Sequence, residues 1–544
     1  MNKFRPRLLL AAALACAMPT SPLVAQTAPA VRLPSLGDAS SEDFSVGTER
    51  RLGEQIMAEI RRDPAYLDDP LLLGYVQALW APLVAAARGR GNIGPDLDEA
   101  FAFEAFLVRD RSVNAFALPG GFVGVHLGLV AMTGTPDELA SVLAHELSHV
   151  TQRHIARGLA SSSRQSLVGV AAMLLGVLAA ARSSSPDVAQ AAIVGGQAAM
   201  IQGQLNFSRD MEREADRIGW VVHQDAGFAP QGMASMFERL DAANRLTDNG
   251  AFPYLRSHPL TIDRIGEAKA RVHAVPGGDG PAPRPPLDHL LMQARSRVLM
   301  DPSVQSLRRI QSQDAAGAAG PERVAALYGS ALASLELREP SQAQSALDAA
   351  RSLAATSAPA ASRAGLVLGL LQAQVWVATG QPDRALAWFD AQSGMGPGAA
   401  RPLLLARAQA ALAGGRDGRG ATQALRASVE ALQTWVAEHK GDAVAWSALA
   451  QAAQAQGLAL RSLRAQAEAQ AADGDLVGAI DRLRAAQRQA RSGAVAADFI
   501  ESSIIDSRLR DLTARRRAQI AEARGARGGT GNPGGDAGDD TRAP

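Results

Sequence analysis

Short apolar runs predict a small β-sheet in the first half of the chain. Residues 101–109 and 112–118 are apolar segments of strand length. The Pro-Gly-Gly sequence at residues 119–121 then turns the chain into a third strand over residues 122–127. The last two strands are close enough in sequence to form a hairpin.

A helix with a defined start follows this hairpin. Thr135 and Glu138 have the spacing of a capping box, and Pro136 occupies the first helical position. Apolar side chains recur every four residues, at Leu139, Leu143 and Leu147. The pattern therefore predicts an amphipathic helix with one buried face.

The second half of the chain has the pattern of alanine-rich helices. A Pro/Gly-rich segment at residues 276–288 predicts a linker, and residues 289–523 carry no catalytic motif. Gly380 and Gly474 stand in turns that match those of tetratricopeptide units. We predict an all-α, tetratricopeptide-like helical domain that binds extended partners, with a generic alanine-rich helical domain as the alternative.

Residues 1–25 have the pattern of a secretory signal peptide, with basic residues, an apolar core and a Leu-Val-Ala cleavage site. The single cysteine, Cys16, lies inside this segment, so the cleaved chain has no thiols and no disulfides. Lipid attachment at Cys16 is the less favoured alternative. Residues 26–47 are predicted to be an N-terminal linker, and residues 524–544 a disordered tail.

The charge balance argues against a nucleic-acid partner. The formal net charge of +1 becomes −2 after cleavage, because residues 1–25 carry three basic and no acidic side chains. A chain without a basic excess lacks the electrostatic footprint of a nucleic-acid-binding protein.

The predicted helix contains the sequence His145-Glu146-Leu147-Ser148-His149. Two histidines four positions apart share one helix face, so both imidazoles can reach one metal ion, usually Zn²⁺. Glu146 is rotated about 100° from His145 and can address a water at an open metal position. The alternative is an amphipathic helix with two surface histidines. The apolar surroundings argue against that alternative, because buried polar groups need partners.

A third metal ligand is expected from residues 208–219. Ser208 is a helix cap, and Glu212 and Asp216 share one face of the helix after it. One carboxylate can bind the metal while the other accepts a hydrogen bond from a ligand histidine, and the spacing leaves these roles open. Glu214 is expected to point to another face. An exposed acidic helix with arginine partners is the alternative.

These motifs resemble the gluzincin family, which includes the CAAX prenyl protease, the heat-shock protease HtpX and the BepA-like periplasmic zinc metalloproteases with tetratricopeptide repeats. The matching residues are His145-Glu146-x-x-His149, Ser208-Arg209-x-x-Glu212-x-x-Ala215-Asp216 and His258-Pro259-Leu260. The resemblance covers roughly residues 49–275. It implies an α+β zincin-like metalloprotease domain over residues 48–275, mostly helical with a small sheet and an edge strand, followed by the all-α domain.

The resemblance also implies roles for individual residues. Glu212 would be the third ligand of one Zn²⁺ per chain, and Asp216 would hold a ligand histidine. Glu146 would take a proton from the metal-activated water and deliver it to the leaving amine. The segment that begins with Asn114, Ala115 and Phe116 resembles the family's edge strand, on which an extended substrate adds through main-chain hydrogen bonds. An ordinary hairpin is the alternative.

His258 resembles a histidine that lies near the metal in this family, and two roles are open. It can donate a hydrogen bond to the oxyanion of the reaction, which makes it catalytic. It can also occupy the fourth metal position and exclude water until substrate displaces it. Tyr254 and Arg256 are secondary candidates for oxyanion contact, and His126 is interpreted as structural.

Residues 166–201 contain two apolar runs that are shorter than a membrane span. We expect a helical hairpin that packs over the active site or touches a membrane surface.

The leading functional prediction is a periplasmic zinc endopeptidase. The resemblance implies that it acts in outer-membrane protein assembly and quality control and degrades unfolded or misassembled proteins. It also implies contact with the β-barrel assembly machinery through the repeats. The alternative is an assembly chaperone or scaffold with a latched protease site and partner-binding repeats.

Overall fold

The structure is a computed structural model that describes residues 44–161, 208–246, 252–278, 280, 283–313, 319–355, 359, 362–392, 397–414, 419–492 and 498–528. The predicted signal peptide, most of the N-terminal linker, the apolar segment 166–201 and the chain after Gly528 lie outside these ranges. The predictions made for them stay predictions.

Four strands of the described residues form one mixed sheet. They are β1 (Tyr66–Leu67), β2 (Glu104–Val108), β3 (Ala115–Leu118) and β4 (Phe122–His126). The order is β1-β2-β4-β3, with β2 and β4 parallel and the other pairs antiparallel. The predicted strand at residues 101–109 is shorter than expected, because Phe103 adopts a φ of 45° that interrupts the extended chain.

Helices surround this sheet in the first half of the chain. They are α1 (Val46–Ile60), α2 (Pro70–Gly89), α3 (Pro95–Ala100), α4 (Leu127–Met132), α5 (Pro136–Thr151), α6 (His154–Ser161), α7 (Arg209–Asp225), α8 (Gln231–Leu246), α9 (Pro253–Ser257) and α10 (Ile262–His273). Helix α5 packs against α2, α7, α8 and β3, so the helix that carries the metal motif lies at the centre of this half.

Helix α2 is long and apolar enough to cross a membrane by length and composition. Its apolar side chains, among them Leu72, Leu83 and Trp80, are buried inside the protein. They belong to the same hydrophobic core as the apolar face of α5. The helix therefore has the environment of a core helix.

The second half is helical throughout the described residues. Its helices are α11 (Leu287–Leu299), α12 (Val304–Ser312), α13 (Gly320–Glu336), α14 (Pro340–Ala354), α15 (Arg363–Ala378), α16 (Pro382–Asp390), α17 (Pro397–Gly414), α18 (Arg419–Glu438), α19 (Ala443–Ala455), α20 (Ala459–Ala472), α21 (Leu476–Arg491) and α22 (Phe499–Gly528). Helix α22 extends past residue 524, so the predicted tail would begin later than expected.

Tight turns join neighbouring helices of this half, and consecutive helices pack against each other. Gly380, Gly457 and Gly474 stand in such turns with φ of 73°, 75° and 84°, a backbone region that glycine adopts at low cost. Gly474 also packs against Ala58 of α1, where a Cβ would lie 2.7 Å from the alanine side chain. The sequence prediction of helix pairs at Gly380 and Gly474 agrees with this arrangement.

The hydrophobic core continues across the predicted linker. Leu291 and Val298 of α11 are buried in the same core as the first half of the chain, and α11 packs against α4. Ion pairs reinforce this junction at the start of α2. Arg295 donates to Asp69 at 2.5 and 2.7 Å, and Arg401 of α17 donates to Asp68 at 2.6 and 2.7 Å.

Candidate metal centre

Helix α5 carries the two histidines of the metal motif. Its first turn is fixed by the Thr135 hydroxyl, which accepts the Glu138 N–H at 3.2 Å. The Glu138 carboxylate accepts a hydrogen bond from the Gly134 N–H. A capping box places this bond one residue later, on the N–H of the cap residue Thr135. Two turns further, His145 and His149 are buried, and their Nε2 atoms lie 3.0 Å apart.

Helix α7 places a carboxylate beside both histidines. Ser208 caps the helix as predicted, and its hydroxyl accepts the Met211 N–H at 3.2 Å. Glu212 Oε2 lies 3.5 Å from His145 Nε2, and Glu212 Oε1 lies 3.5 Å from His149 Nε2. The structure therefore brings together the three side chains that the sequence predicted as metal ligands.

The close approach of α7 to α5 depends on Gly219. A Cβ at this position would lie 3.1 Å from the carbonyl carbon and oxygen of Ala144 and from the backbone nitrogen of His145. A larger residue would push the two helices apart and move Glu212 away from the histidines. The helix also runs on to Asp225, past the predicted end at residue 219.

The loop between α9 and α10 contributes a fourth polar side chain. His258 is 1% exposed, and its Nδ1 lies 3.0 Å from Glu212 Oε1 and 3.4 Å from His145 Nε2. One ligand atom from each of His145, His149, Glu212 and His258 lies within 4.8 Å of the others. The ring of His258 therefore lies against the other three side chains of the cluster.

The donor geometry fits a tetrahedral metal ion. Nitrogen and oxygen ligands at about 2.1 Å from zinc are separated by roughly 3.4 Å in a tetrahedron. The contacts of His145, His149 and Glu212 with one another measure 3.0, 3.5 and 3.5 Å. Both carboxylate oxygens of Glu146, next to this set, are buried without a well-formed hydrogen bond among the described residues. A buried charge of this kind needs a cation, and this cluster can hold one.

Residues 92–272 match the model of peptidase family M48, and this range contains the whole cluster. We call this matched range the M48 domain. The match confirms the metalloprotease family that the motifs indicated, and it implies a metal cofactor for the cluster.

The chain is similar to the beta-barrel assembly-enhancing proteases of Yersinia pestis and Escherichia coli. The first is 29% identical over 486 residues, which are 88% of this chain and 91% of the relative. The second is 31% identical over 334 residues, which are 60% of this chain and 64% of the relative.

Two further relatives match smaller parts of this chain. A Vibrio cholerae relative is 37% identical over 276 residues, which are 51% of this chain and 54% of the relative. The mitochondrial metalloendopeptidase OMA1 of Schizosaccharomyces pombe is 30% identical over 229 residues, 41% of this chain and 60% of the relative. The chain thus spans from about half to nine-tenths of the length of these proteins.

A buried arginine organises the carboxylates of the M48 domain. Asp216 Oδ1 lies 3.0 Å from His145 Nδ1, the ring nitrogen that faces away from the cluster. Arg264 of α10 donates to both oxygens of Asp216, at 2.6 and 2.8 Å, and to the Pro259 carbonyl at 2.9 Å. It also lies 2.9 Å from Glu212 Oε2. Arg264 was not predicted from sequence, and it connects α7 to the loop that carries His258.

Burial and neighbouring charges shift the pKa values of the cluster in different directions. Burial opposes protonation of His145, but the Asp216 and Glu212 carboxylates outweigh it and raise the pKa of His145 to about 10. Burial opposes ionisation of Glu212, but the rings of His258 and His145 hold the pKa of that carboxyl well below its usual range. For Glu146, burial dominates and raises the pKa. Glu146 is therefore the more readily protonated of the two glutamates.

His154 contacts His149 of the cluster, and Glu214 in turn contacts His154. His154 Nδ1 lies 2.8 Å from His149 Nδ1, and His154 Nε2 lies 3.2 Å from Glu214 Oε2. The sequence prediction treated Glu214 as pointing elsewhere and did not single out His154. The signal that would have found His154 is a further histidine just after the motif, in a chain with nine histidines in all.

The edge strand predicted next to the metal helix is β3. Among the described strands it pairs with β4 alone, and it packs against α5. The Asn114 carbonyl accepts a hydrogen bond from β4, so alternation directs the main chain of Phe116 toward β4 as well. The main-chain groups of Ala115 and Ala117 then face the open edge, and Ala117 contacts the Glu146 carboxylate.

Three other residues singled out in the sequence are His126, Tyr254 and Arg256. His126 shares a hydrogen bond between its Nδ1 and the Ser112 hydroxyl, at 2.9 Å. Burial lowers the pKa of His126 to about 4, in agreement with a structural role. Tyr254 is buried with its ring centroid 4.7 Å from that of His258. Arg256 is exposed, so its side chain does not share the buried environment of Tyr254.

Proposed function

We propose that the chain is a zinc-dependent endopeptidase. The observation that carries this proposal is the buried set of His145, His149 and Glu212 beside Glu146 within an M48 domain. These three ligands would hold one Zn²⁺ through two imidazole nitrogens and a carboxylate oxygen, the donor types that catalytic zinc sites use. When bound, the ion supplies Lewis acidity and lowers the pKa of a water.

Glu146 is the proposed proton carrier. Its carboxylate is fully buried beside the cluster, and burial raises its pKa toward the range in which a carboxyl can both take up and release a proton. It would accept the proton of the attacking water and deliver it to the leaving amine. The contact with the main chain of Ala117 would keep this carboxylate directed at the substrate edge.

His258 is proposed to be a latch. Its Nδ1 lies at tetrahedral-type distances from both Glu212 and His145, which supports a resting state in which this ring fills the fourth ligand position. Substrate would have to displace the ring. In the displaced state its N–H could serve as the oxyanion donor, which is the alternative role.

Substrates would bind as an additional strand along β3. The open-edge groups of Ala115 and Ala117 support main-chain pairing, which accepts many sequences and suits unfolded proteins. Asn114 and Phe116 turn their main-chain groups toward β4, so Ala115 and Ala117 would make the main-chain pairing with substrate in this segment.

We propose a periplasmic location and a role in outer-membrane β-barrel assembly and quality control. The proposed signal peptide and the relatives named beta-barrel assembly-enhancing proteases support this role. Misassembled barrel proteins would be the substrates.

The tetratricopeptide-like helices are the proposed partner-binding region. Together with α1 they line a cavity of 960 Å³, at the upper end of the range of ligand cavities. Its lining carries seven basic and three acidic side chains, and Trp446 contributes an aromatic surface. Four of the seven basic side chains already pair with carboxylates of the chain, so the other three would be the contacts for an acidic segment of a partner, for which the assembly machinery is the proposed source.

A second candidate function is that of an assembly chaperone or scaffold. The position of His258 favours it, because a permanently latched centre would leave partner binding as the main activity. The two functions differ in whether proteolysis is needed for the phenotype.

Replacement of Glu146 by Gln tests the proposal. Zinc content should remain at one per chain, because Glu146 is not among the ligands, while cleavage of casein should fall by about 10²–10⁴-fold, the usual contribution of a general base. His149→Ala is the matched variant that should lose zinc as well. Unchanged casein cleavage by Glu146→Gln would refute the protease mechanism, and an unchanged envelope phenotype would favour the chaperone function.

A further inference from the structure

A chain of polar side chains runs outward from the metal centre through α6. His149 Nδ1 lies 2.8 Å from His154 Nδ1, and His154 Nε2 lies 3.2 Å from Glu214 Oε2. Arg157 donates to the same Glu214 oxygen at 3.0 Å. Both histidines are fully buried, while Glu214 and Arg157 reach toward the surface. Helices α5, α6 and α7 therefore meet in one hydrogen-bonded string.

The order of protons along this string follows from the geometry. His149 turns Nε2 toward His145 and Glu212, so a metal ligand at that atom requires a lone pair on Nε2 and a proton on Nδ1. The Nδ1–H of His149 then donates to His154 Nδ1, which must be unprotonated. The neutral ring of His154 consequently carries its proton on Nε2 and donates it to Glu214. Every donor in the string meets an acceptor.

We propose that His154 is a positioning residue that fixes the ring orientation and the tautomer of His149 for metal binding. The proposal rests on the zinc centre of the proposed function. The two ligand histidines are thereby held by different groups. The Asp216 carboxylate contacts Nδ1 of His145, and the neutral imidazole of His154 contacts Nδ1 of His149. Outer partners of this kind commonly change metal affinity by about 10–100-fold when they are removed.

The backbone conformation of Arg153 directs the next residue, His154, toward His149. Arg153 adopts a φ of 51°, a left-handed conformation that is uncommon for residues other than glycine, asparagine and aspartate. Its guanidinium donates to Glu49 at 3.0 Å and to the Phe44 carbonyl at 2.5 Å, which holds the turn in place. The turn ends α5 and brings His154 back over His149. A strained residue held by buried partners next to a functional site is the usual sign of a constrained side-chain position.

Two amide substitutions separate the two nitrogens of His154. In His154→Asn the side-chain oxygen takes the place of Nδ1 and can still accept from His149. In His154→Gln the amide reaches the place of Nε2 and keeps the contact with Glu214 but leaves the His149 Nδ1–H without its acceptor. His223→Asn is the control for loss of a buried histidine, because His223 bonds the Asp137 carbonyl at the start of α5.

Zinc affinity of the full chain, measured by competition with a chromophoric chelator, is the main readout. His154→Gln should weaken zinc binding by about 10–100-fold, whereas His154→Asn and His223→Asn should stay within about threefold of the parent. Equal affinities for His154→Gln and His154→Asn would overturn the proposal. A parent chain that binds no zinc would instead refute the proposed function.

A second readout covers variants that do not fold. Nitrogen-15 NMR of the metal-free parent should report His149 protonated at Nδ1 and His154 at Nε2. The opposite tautomers would also overturn the proposal. Glu214→Gln keeps an acceptor for His154 and removes only the charge, so it should retain both tautomers.

Discussion

His258 Nε2 lies 3.6 Å from Glu146 Oε1, so the proposed latch touches the proposed proton carrier. The opposite nitrogen of the same ring faces Glu212 at 3.0 Å. One imidazole thus spans the space between a metal ligand and the catalytic carboxylate. Displacement of this ring would free the fourth ligand position and expose Glu146 in a single movement.

Removal of the latch should raise proteolysis. In His258→Ala the fourth position is permanently open to water, so we expect cleavage of unfolded casein to increase by about tenfold. This is the increase expected if the latched state of the parent is about 1.4 kcal/mol more stable than the open state. The measurement is the initial rate in zinc-loaded protein. If His258 serves instead as the oxyanion donor, the same variant will be slower than the parent.

Loss of Arg264 should destabilise the catalytic half. Arg264→Met leaves the buried carboxylates of Asp216 and Glu212 without their cation, which typically costs about 3–5 kcal/mol of unfolding free energy. Urea unfolding measures the change. Arg245→Met is the matched control, because Arg245 is 73% exposed in its ion pair with Asp241 and should change stability too little to resolve. Equal losses in both variants would contradict the organising role of Arg264.

Proline at the open edge should weaken substrate binding without disturbing the sheet. Ala115→Pro removes an N–H that faces outward from β3, so the KM for an unfolded substrate should rise while zinc affinity stays constant. Phe116→Pro removes an N–H that faces β4 and should destabilise the hairpin. An unchanged KM in Ala115→Pro would argue against strand addition at this edge.

Acid should destabilise the fold through two histidines outside the metal cluster. Burial lowers the pKa of His126 and of His223 to about 4, below the 6.5 of an exposed histidine. Between these values the unfolded chain binds more protons, so stability present above pH 6.5 is lost as the pH falls toward 4. The loss is on the order of 3 kcal/mol for each histidine. Urea unfolding at pH 7 and pH 4.5 tests this, and His223→Gln should reduce the difference by its own share, on the order of 3 kcal/mol.

The local parts of the site were predictable because they depend on helix periodicity. Four-residue spacing places His145 and His149 on one face of α5, and the same spacing aligns Glu212 with Asp216 on α7. The caps at Thr135 and Ser208 are likewise set by neighbours in sequence.

The parts that the sequence did not predict depend on contacts between distant segments. Arg264 resembles any other arginine of an amphipathic helix until α10 packs against α7. His154 follows a left-handed Arg153, and that conformation is stabilised by Glu49, which is 104 positions earlier. Periodicity carries no information about such pairs.

The two aspartates that precede α2 form ion pairs with the helical half, so proteolysis between the two halves would affect the first half as well. Cleavage at the Pro/Gly segment before α11 would separate Asp69 from Arg295 and uncover the apolar contact between α11 and α4. The helical half thus completes the core of the catalytic half, in addition to its proposed role in partner binding. A fragment that ends before residue 287 would carry every metal ligand and still lack part of the core on which their positions depend.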